Sequence, residues 1–281
     1  MVWSAVSRLE FGGWLGEIKA VEGHVGRNAT PPQLLVALWV YATLRGVASA
    51  RELARLCQQH LAYRWLCGGL SVNHHLLSDF RSAGGDQWEA LLTQLVAALM
   101  SEGLVTLDRV SQDGMRVRAS AGKSSFRRKA SLQRCLDEAR AQVATLRELA
   151  EQDPAEVSAR QQAARQRAAE ERVARLEDAL RHVDQVQSQR DAGAQRSNQP
   201  AKEARASTSD PAARTMKFSD GGVRPGVNVQ FATDTASGII AGVEVTSAGN
   251  DQGQLGPMLD QLQERYEQTP DEALVDGGFA S

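Results

Sequence analysis

From Thr30 onward apolar residues recur at broad helical spacing. Leu34, Leu35, Leu38, Val40, Tyr41 and Leu44 follow Pro31 and Pro32, which suit a first helical turn, with Thr30 placed to cap it. Gly46 breaks the run. Ser49, with Glu52 three residues on, has the form of a capping box and opens a second helix whose apolar face is Leu53, Leu56 and Cys57. A short apolar piece, Leu61 to Leu66, ends at Gly68-Gly69. Ser71 then starts a helix over 72–81 that stops before Gly84-Gly85, and a long apolar helix runs from Trp88 to Met100. Residues 1–103 are therefore read as one all-helical domain of short helices joined by tight glycine turns.

At Leu104 the texture changes. Leu104, Val105, Leu107 and Val110 lead into Ser111-Gln112-Asp113-Gly114, which predicts a strand ending near an Asp-Gly turn. Val227, Val229 and Phe231 alternate with Asn228 and Gln230, and Ala241, Val243 and Val245 alternate again, so 226–246 is predicted as a β-hairpin. A helix over 253–268 and a short buried strand from Ala273, terminated by Gly277-Gly278, complete the order. Strand, hairpin, helix, strand predicts a mixed α/β sheet over 104–281 with a parallel right-handed crossover.

The sheet is interrupted by a segment, 122–215, of a different kind. Leu132, Leu136, Val143 and Leu146 step at largely heptad spacing, as do Val173, Leu176, Leu180 and Val183, with Asp153-Pro154 between the sets. This predicts an antiparallel helical hairpin, 126–151 against 155–189. Gly193 to Pro211, rich in Ala, Ser, Asn and Gln, is read as a flexible linker.

Composition narrows the class. A chain of 281 residues, 42% hydrophobic and 23% charged, suits two domains with real cores and excludes disorder throughout. No stretch approaches a membrane span, the N-terminus lacks the pattern of a secretory signal, and three cysteines without CxxC spacing argue against a disulfide framework. The expectation is a cytoplasmic protein without a membrane partner. The net charge of −2 hides an uneven layout: residues 1–121 carry +1, 122–215 carry +4 and 216–281 carry −7. Near-neutrality overall does not exclude nucleic acid, which is bound by local patches. The acidic last segment would repel phosphates unless cations sat there.

Three constellations are candidates for chemistry. Asp113 and Asp276 each stand where an apolar strand runs out and each precedes a glycine. Carboxylates converging at strand ends hold hard cations such as Mg2+, with Mn2+ as a substitute, whereas an Asp-Gly pair by itself is the commonest of turn makers. The short helices over 49–81 have the form of a helix-turn-helix reader, in which Asn73, His74, Ser78 and Arg81 face a groove while Leu76, Leu77 and Phe80 pack. An ordinary helical hairpin with a polar face fits the same pattern. The basic run Lys123, Arg127, Arg128, Lys129 and Arg134 suits phosphate contacts or simply a solvated helix start. Adjacent His74-His75 diverge on a helix and make a poor metal site. The Arg- and Glu-rich faces of 160–181 are expected to be solvated surface with i,i+4 pairs. Trp39, Trp65 and Trp88 are read as core anchors.

Several blocks, in order, carry a resemblance: LLVALWVYATLRGVASARELARLC, YRWLCGGLSVNHHLLSDFR, VSQDGMRVRASAG, DPAARTMKFSDGGVRPGVNVQFATD, TSAGNDQGQLGPMLDQL and ALVDGGFAS. Over about residues 27–281 the chain resembles bacterial insertion-sequence DDE transposases with an InsH-type N-terminal domain, of the IS-five and IS-eleven-eighty-two kind. The resemblance implies a partial RNase H-like catalytic core after the helical domain. It implies Mg2+-dependent phosphodiester cleavage and strand transfer at the element's ends. Asp113 and Asp276 match the first and second acidic metal ligands. It further implies double-stranded DNA (terminal inverted repeats and target) as partner, a homo-oligomer on that DNA, and a place in the bacterial nucleoid.

The family's third ligand, a Glu on a later helix, has no counterpart, since the chain stops at Ser281, five residues past Asp276. The expectation is therefore a piece of a longer reading frame or a decayed copy, catalytically poor by itself. A second reading stands beside it: a catalytically inactive DNA-binding protein that occupies the terminal repeats and regulates transposition. A third gives the 126–189 hairpin an assembly role.

Overall fold

The computed structural model describes residues 2–15, 29–83, 85–152, 159–197 and 200–279. Gly84, Asp153-Pro154 and the first residues of the expected second hairpin helix (155–158), residues 198–199 of the expected linker, and the last two residues lie outside them. The chain divides into two compact units, one built on residues up to Thr106 with Arg265–Glu267, the other on Leu107–Glu264 with the remaining C-terminal residues.

The first unit is helical: α1 (Val2–Val6), α2 (Gly12–Leu15), α3 (Pro32–Leu44), α4 (Ala50–Gln59), α5 (Leu61–Leu66), α6 (His74–Ala83) and α7 (Gly85–Ser101). α3 is its axis. Leu34, Leu35, Val36, Ala37, Leu38, Trp39 and Ala42 are buried, so it is covered nearly all round. One side packs on Leu53 and Cys57 of α4, Tyr63 of α5 and Leu77 of α6. The other packs on Val6, Phe11, Trp14 and Leu91. Pro31 occupies the cap of α3 with no side-chain bond, so Thr30 does not cap it. Ser49 Oγ accepts from Glu52 N at 3.4 Å, while the Glu52 carboxylate turns to Arg55 rather than back to the cap. Only half of the capping box forms.

Trp39 is a core anchor and Trp88 is partly buried against the same clusters. Trp65 is not: it is 72% exposed, one turn along the outer face of α5 from Leu61. α5 spans only six residues and its inward position is taken by Tyr63. α6 begins at His74 rather than after Ser71, because Asn73 Oδ1 accepts the His75 amide at 2.9 Å and starts the helix there.

The second unit contains β1 (Arg109–Arg118), a 3-10 turn (Lys123–Ser125), β2 (Phe126–Arg127), α8 (Lys129–Gln152), α9 (Ala159–Ser197), β3 (Ala206–Ser207), β4 (Arg214–Lys217), β5 (Val223–Asp234), β6 (Ile240–Thr246), α10 (Leu255–Tyr266) and β7 (Glu272–Leu274). The fold is mixed α/β. β5 lies antiparallel to β1 on one edge and to β4 and β6 on the other, and β7 lies parallel to β1. β6 and β1 are both antiparallel to β5, so the β6–α10–β7 connection joins strands running in one direction.

Two sequence expectations about this unit need correction. β1 does not end at an Asp-Gly turn: Asp113 and Gly114 pair with Phe231 and Gln230 in mid-strand, and the strand runs on to Arg118. Nor is β7 buried, for Leu274 is 49% exposed.

α8 and α9 form the antiparallel hairpin, sealed by Leu132, Leu136, Ala139, Leu176, Ala179, Val183 and Val186. Arg140 pairs with Glu177 and Arg147 with Glu170, so much of the charged surface bridges the two helices rather than linking i and i+4. The stretch 193–211 is not a free linker. α9 continues through it to Ser197, Ala204 and Ala206 enter the hairpin core, and β3 pairs with β2. Gln187 Oε1 takes the Ala204 amide at 2.7 Å, and Arg190 donates to the carbonyls of Lys202 and Glu203. Small residues read as flexibility are here what allows close packing. Among the described residues no helix is long and apolar enough to cross a membrane.

Candidate active site

Alternation along β1 sets its two faces. Val110, Gln112, Gly114 and Arg116 point one way; Ser111, Asp113, Met115 and Val117 point the other. On β5 the buried positions are Asn228, Gln230, Ala232 and Asp234, whereas Val227, Val229, Phe231 and Thr233 are only partly covered. The usual sense of an alternating strand is inverted, with amides inside and aliphatic groups toward the open face.

Asp113 stands on that open face. It is exposed, and its Oδ1 accepts the amide of Gly114 at 2.8 Å. β1 and β7 are paired Arg109 with Glu272, Val110 with Ala273 and Ser111 with Leu274. β7 ends at Leu274, and Asp276 follows it by two residues, as Asp113 follows Ser111, the β1 residue that Leu274 pairs with. Asp276 is exposed as well, and its Oδ1 accepts the Gly278 amide at 2.8 Å. Each carboxylate thus has one oxygen fixed by a neighbouring backbone amide.

Two carboxylates are a hard oxygen donor set of the kind Mg2+ and Mn2+ prefer. They fit such an ion as two protein ligands. Among the described residues no group of three or more His, Cys, Asp and Glu side chains converges on a point, so water or substrate oxygens would complete the shell.

The candidate groove-facing residues of α6 are differently placed. Asn73 is exposed, but its carboxamide caps the helix. Arg81 donates to the Ala48 carbonyl at 2.6 Å and lies over the Trp39 ring, 4.4 Å from its centroid. His74 and Ser78 are half-buried, and the outward positions are His75, Leu76 and Asp79. Leu77 packs fully and Phe80 partly, as expected, but Leu76 is 38% exposed. The rings of His74 and His75 do not diverge: they lie 4.1 Å apart, tilted on one another at the helix start.

In the basic run Lys123 is exposed on the 3-10 turn. Arg127 donates to the Ser124 carbonyl at 2.7 Å, Arg128 pairs with Glu203 at 3.0 Å and Lys129 with Asp184 at 2.7 Å. These cations fasten the start of α8 to α9 and to the segment before β3. They remain more than half exposed where measured, so a phosphate competes with weak surface pairs.

One group near Asp113 was not singled out by the sequence. Asp251, in the loop between β6 and α10, lies beneath the buried face of β1, where its Oδ1 accepts from Asn228 Nδ2 at 2.7 Å and Gln230 Nε2 at 2.6 Å. The signal was present as two amides at alternate strand positions, a pattern that ordinarily marks the solvent face.

Comparison with known proteins bears on the first unit. Residues 8–83 match a family model described as a transposase domain (DUF772). No curated protein and no solved structure matches the chain. The match supports a transposase role in general terms, with DNA as the partner such a role implies.

Proposed function

We propose that the chain is a DNA transposase of the insertion-sequence kind, built on an RNase H-like sheet. Asp113 and Asp276 are its divalent-metal ligands, Mg2+ is the cofactor and Mn2+ its substitute. The observation that carries this is the parallel pairing of β1 with β7, in which Ser111 lies opposite Leu274 and each of these is followed two residues on by one of the aspartates. The strand order, three antiparallel strands with a fourth parallel to β1 after a helix, is the order expected for such a core.

When bound, Mg2+ supplies charge to the attacking and leaving oxygens of a phosphodiester. The chain's own part is to hold the ion and to orient the DNA. The Gly114 and Gly278 amides each fix one oxygen of their carboxylate, which leaves the other oxygens directed by the backbone rather than by a flexible χ2. The carboxylates would also account for a strongly acidic segment in a DNA enzyme, since a cation held by Asp113 and Asp276 would offset their repulsion of the phosphates. Lys123, Arg127 and Arg128 are proposed to contact the DNA backbone, and α6 to meet the terminal repeats with Asn73, His74, Ser78 and Arg81 shaping that helix. The protein acts as a homo-oligomer on DNA in the bacterial nucleoid.

The test is Mn2+ titration of the full chain, followed by the paramagnetic resonance of free ion. Wild type should bind the ion, and Asp113→Asn and Asp276→Asn should each weaken binding at least about tenfold, as expected for removal of one of two charged ligands. No binding by wild type, or unchanged binding in both variants, overturns the assignment. A gel-shift salt series with terminal-repeat and random duplexes checks the DNA half: a steep salt slope and preference for the repeat are expected.

A further inference from the structure

The buried face of β1 opposite the candidate carboxylates is polar where a sheet ordinarily packs aliphatic groups. Gln112, Asn228 and Gln230 are 3%, 1% and 0% exposed. Gln112 Nε2 donates to Gln230 Oε1 at 3.0 Å and to the Gln254 carbonyl at 3.1 Å. Gln230 and Asn228 both turn their NH2 groups to Asp251 Oδ1. Asn228 Oδ1 and Gln112 Oε1 are buried without a partner. Asn228 gives its NH2 to the carboxylate and leaves its own oxygen unpaired, whereas the Gln230 oxygen is taken by Gln112. Arg116 adds a second tie to the same loop, donating to the Gly249 carbonyl at 3.0 Å.

The network closes on Gly114. A Cβ built there would fall on Asp251 Oδ1 and Gln230 Nε2, closer than real Cβ atoms approach anything. Gly114 is paired with Gln230 across the ladder, and its amide holds the Asp113 carboxylate on the other face. A continuous path therefore runs from the Asp251 carboxylate, through the glycine it presses against, to the oxygen of Asp113.

We infer that Asp251 is a positioning residue: from beneath the sheet it accepts hydrogen bonds from Asn228 and Gln230 of β5 and lies against Gly114, and in this way it fixes the Gln112–Arg116 segment of β1 and with it the direction of the Asp113 carboxylate. It touches neither ion nor substrate. The inference rests on the proposed role of Asp113 for its functional meaning, but its structural content is readable separately.

The experiment combines amide hydrogen exchange over β1 with the Mn2+ titration, in the full chain. Asp251→Asn keeps an acceptor oxygen of the same reach and should match wild type in both. Asp251→Ala should speed exchange across the Gln112–Arg116 amides and weaken Mn2+ binding several-fold or more. Should Asp251→Ala fail to fold, Gln230→Met, which keeps the volume and removes the donor, reads the same two quantities. Unchanged exchange overturns the inference, whether or not Mn2+ affinity moves. So does faster exchange with unchanged affinity. So does an Asn variant as impaired as the Ala variant, because charge rather than accepted hydrogen bonds would then be acting. Failure of the underlying reading has a different signature: Asp113→Asn leaves Mn2+ affinity as in wild type.

Discussion

The helical unit and the sheet of the second unit rest on cores of different character. Around α3 the fully buried side chains are Leu38, Leu53, Leu77 and their aliphatic and aromatic neighbours. Beneath β1 and β5 they are Gln112, Asn228 and Gln230, with Ala232, Met258 and Leu262 completing the layer. Apolar burial is non-directional, so the helical core supplies cohesion and tolerates small shifts of its members. Hydrogen bonds are directional and a buried polar group without a partner is expensive, so the polar core contributes less cohesion and more definition of position. Asp113, one of the two proposed metal ligands, stands on the strand with the polar underside. Position, rather than cohesion, is what that half of the molecule is built to secure.

The contrast can be broken by measurement, because all five tryptophans lie between Trp3 and Trp88. Their emission reports on the helical unit alone. Leu53→Ala removes a fully buried side chain and should destabilise that unit by about 2–5 kcal/mol, the range for leucine truncation in a packed core. Denaturant unfolding followed by tryptophan emission should show the shift. Gln230→Ala leaves the Asp251 carboxylate with one donor fewer and Gln112 with one acceptor fewer, and should cost about 1–3 kcal/mol. Its effect should appear in exchange over β1 and β5 and leave the tryptophan transition in place. A tryptophan shift of equal size in both variants would mean that the two cores unfold as one.

How much of this was legible follows from the same distinction. The helical unit announced itself, since Leu34, Leu38, Leu53 and Cys57 sit at helical spacing and Ser49 caps as its type suggests. The hairpin and α10 were legible for the same reason. Asp113 and Asp276 were singled out because each precedes a glycine where an apolar run ends, and family likeness then matched them to acidic ligands; Asp113 lies in mid-strand, so that local premise does not hold for it. The polar core was not legible. Asn228 and Gln230 obey the period of a strand but reverse its faces, and nothing local says that a loop residue such as Asp251 will come to meet them. Gly114 was read as a turn former because Asp-Gly usually is one; its reason is the carboxylate pressed against it. Trp65 misled in the other direction, being aromatic without being buried.

Smaller effects sharpen the picture at the surface of the helical unit. Ser49→Ala loses a long cap bond and should cost about 0.5–1 kcal/mol. Trp65→Ala should change stability by no more than about 0.5 kcal/mol, and should reduce emission while leaving the midpoint unmoved.

The least effect expected belongs to the second unit and shows as a slope with pH. His182 on α9 has a buried Nε2 without a hydrogen-bond partner. Burial lowers its pKa below the ordinary 6.5, and the Arg214 guanidinium lowers it further. The unfolded chain therefore takes up the proton first. The neutral imidazole's contribution is fully present above the unfolded value and is lost as pH falls through it toward the folded one. Far-UV dichroism of thermal unfolding at pH 7.5 and pH 5.5 should show a smaller loss of stability on acidification in His182→Gln than in wild type. An equal loss in the two proteins would remove His182 as a source of acid sensitivity and leave the carboxylates of the unit to account for it.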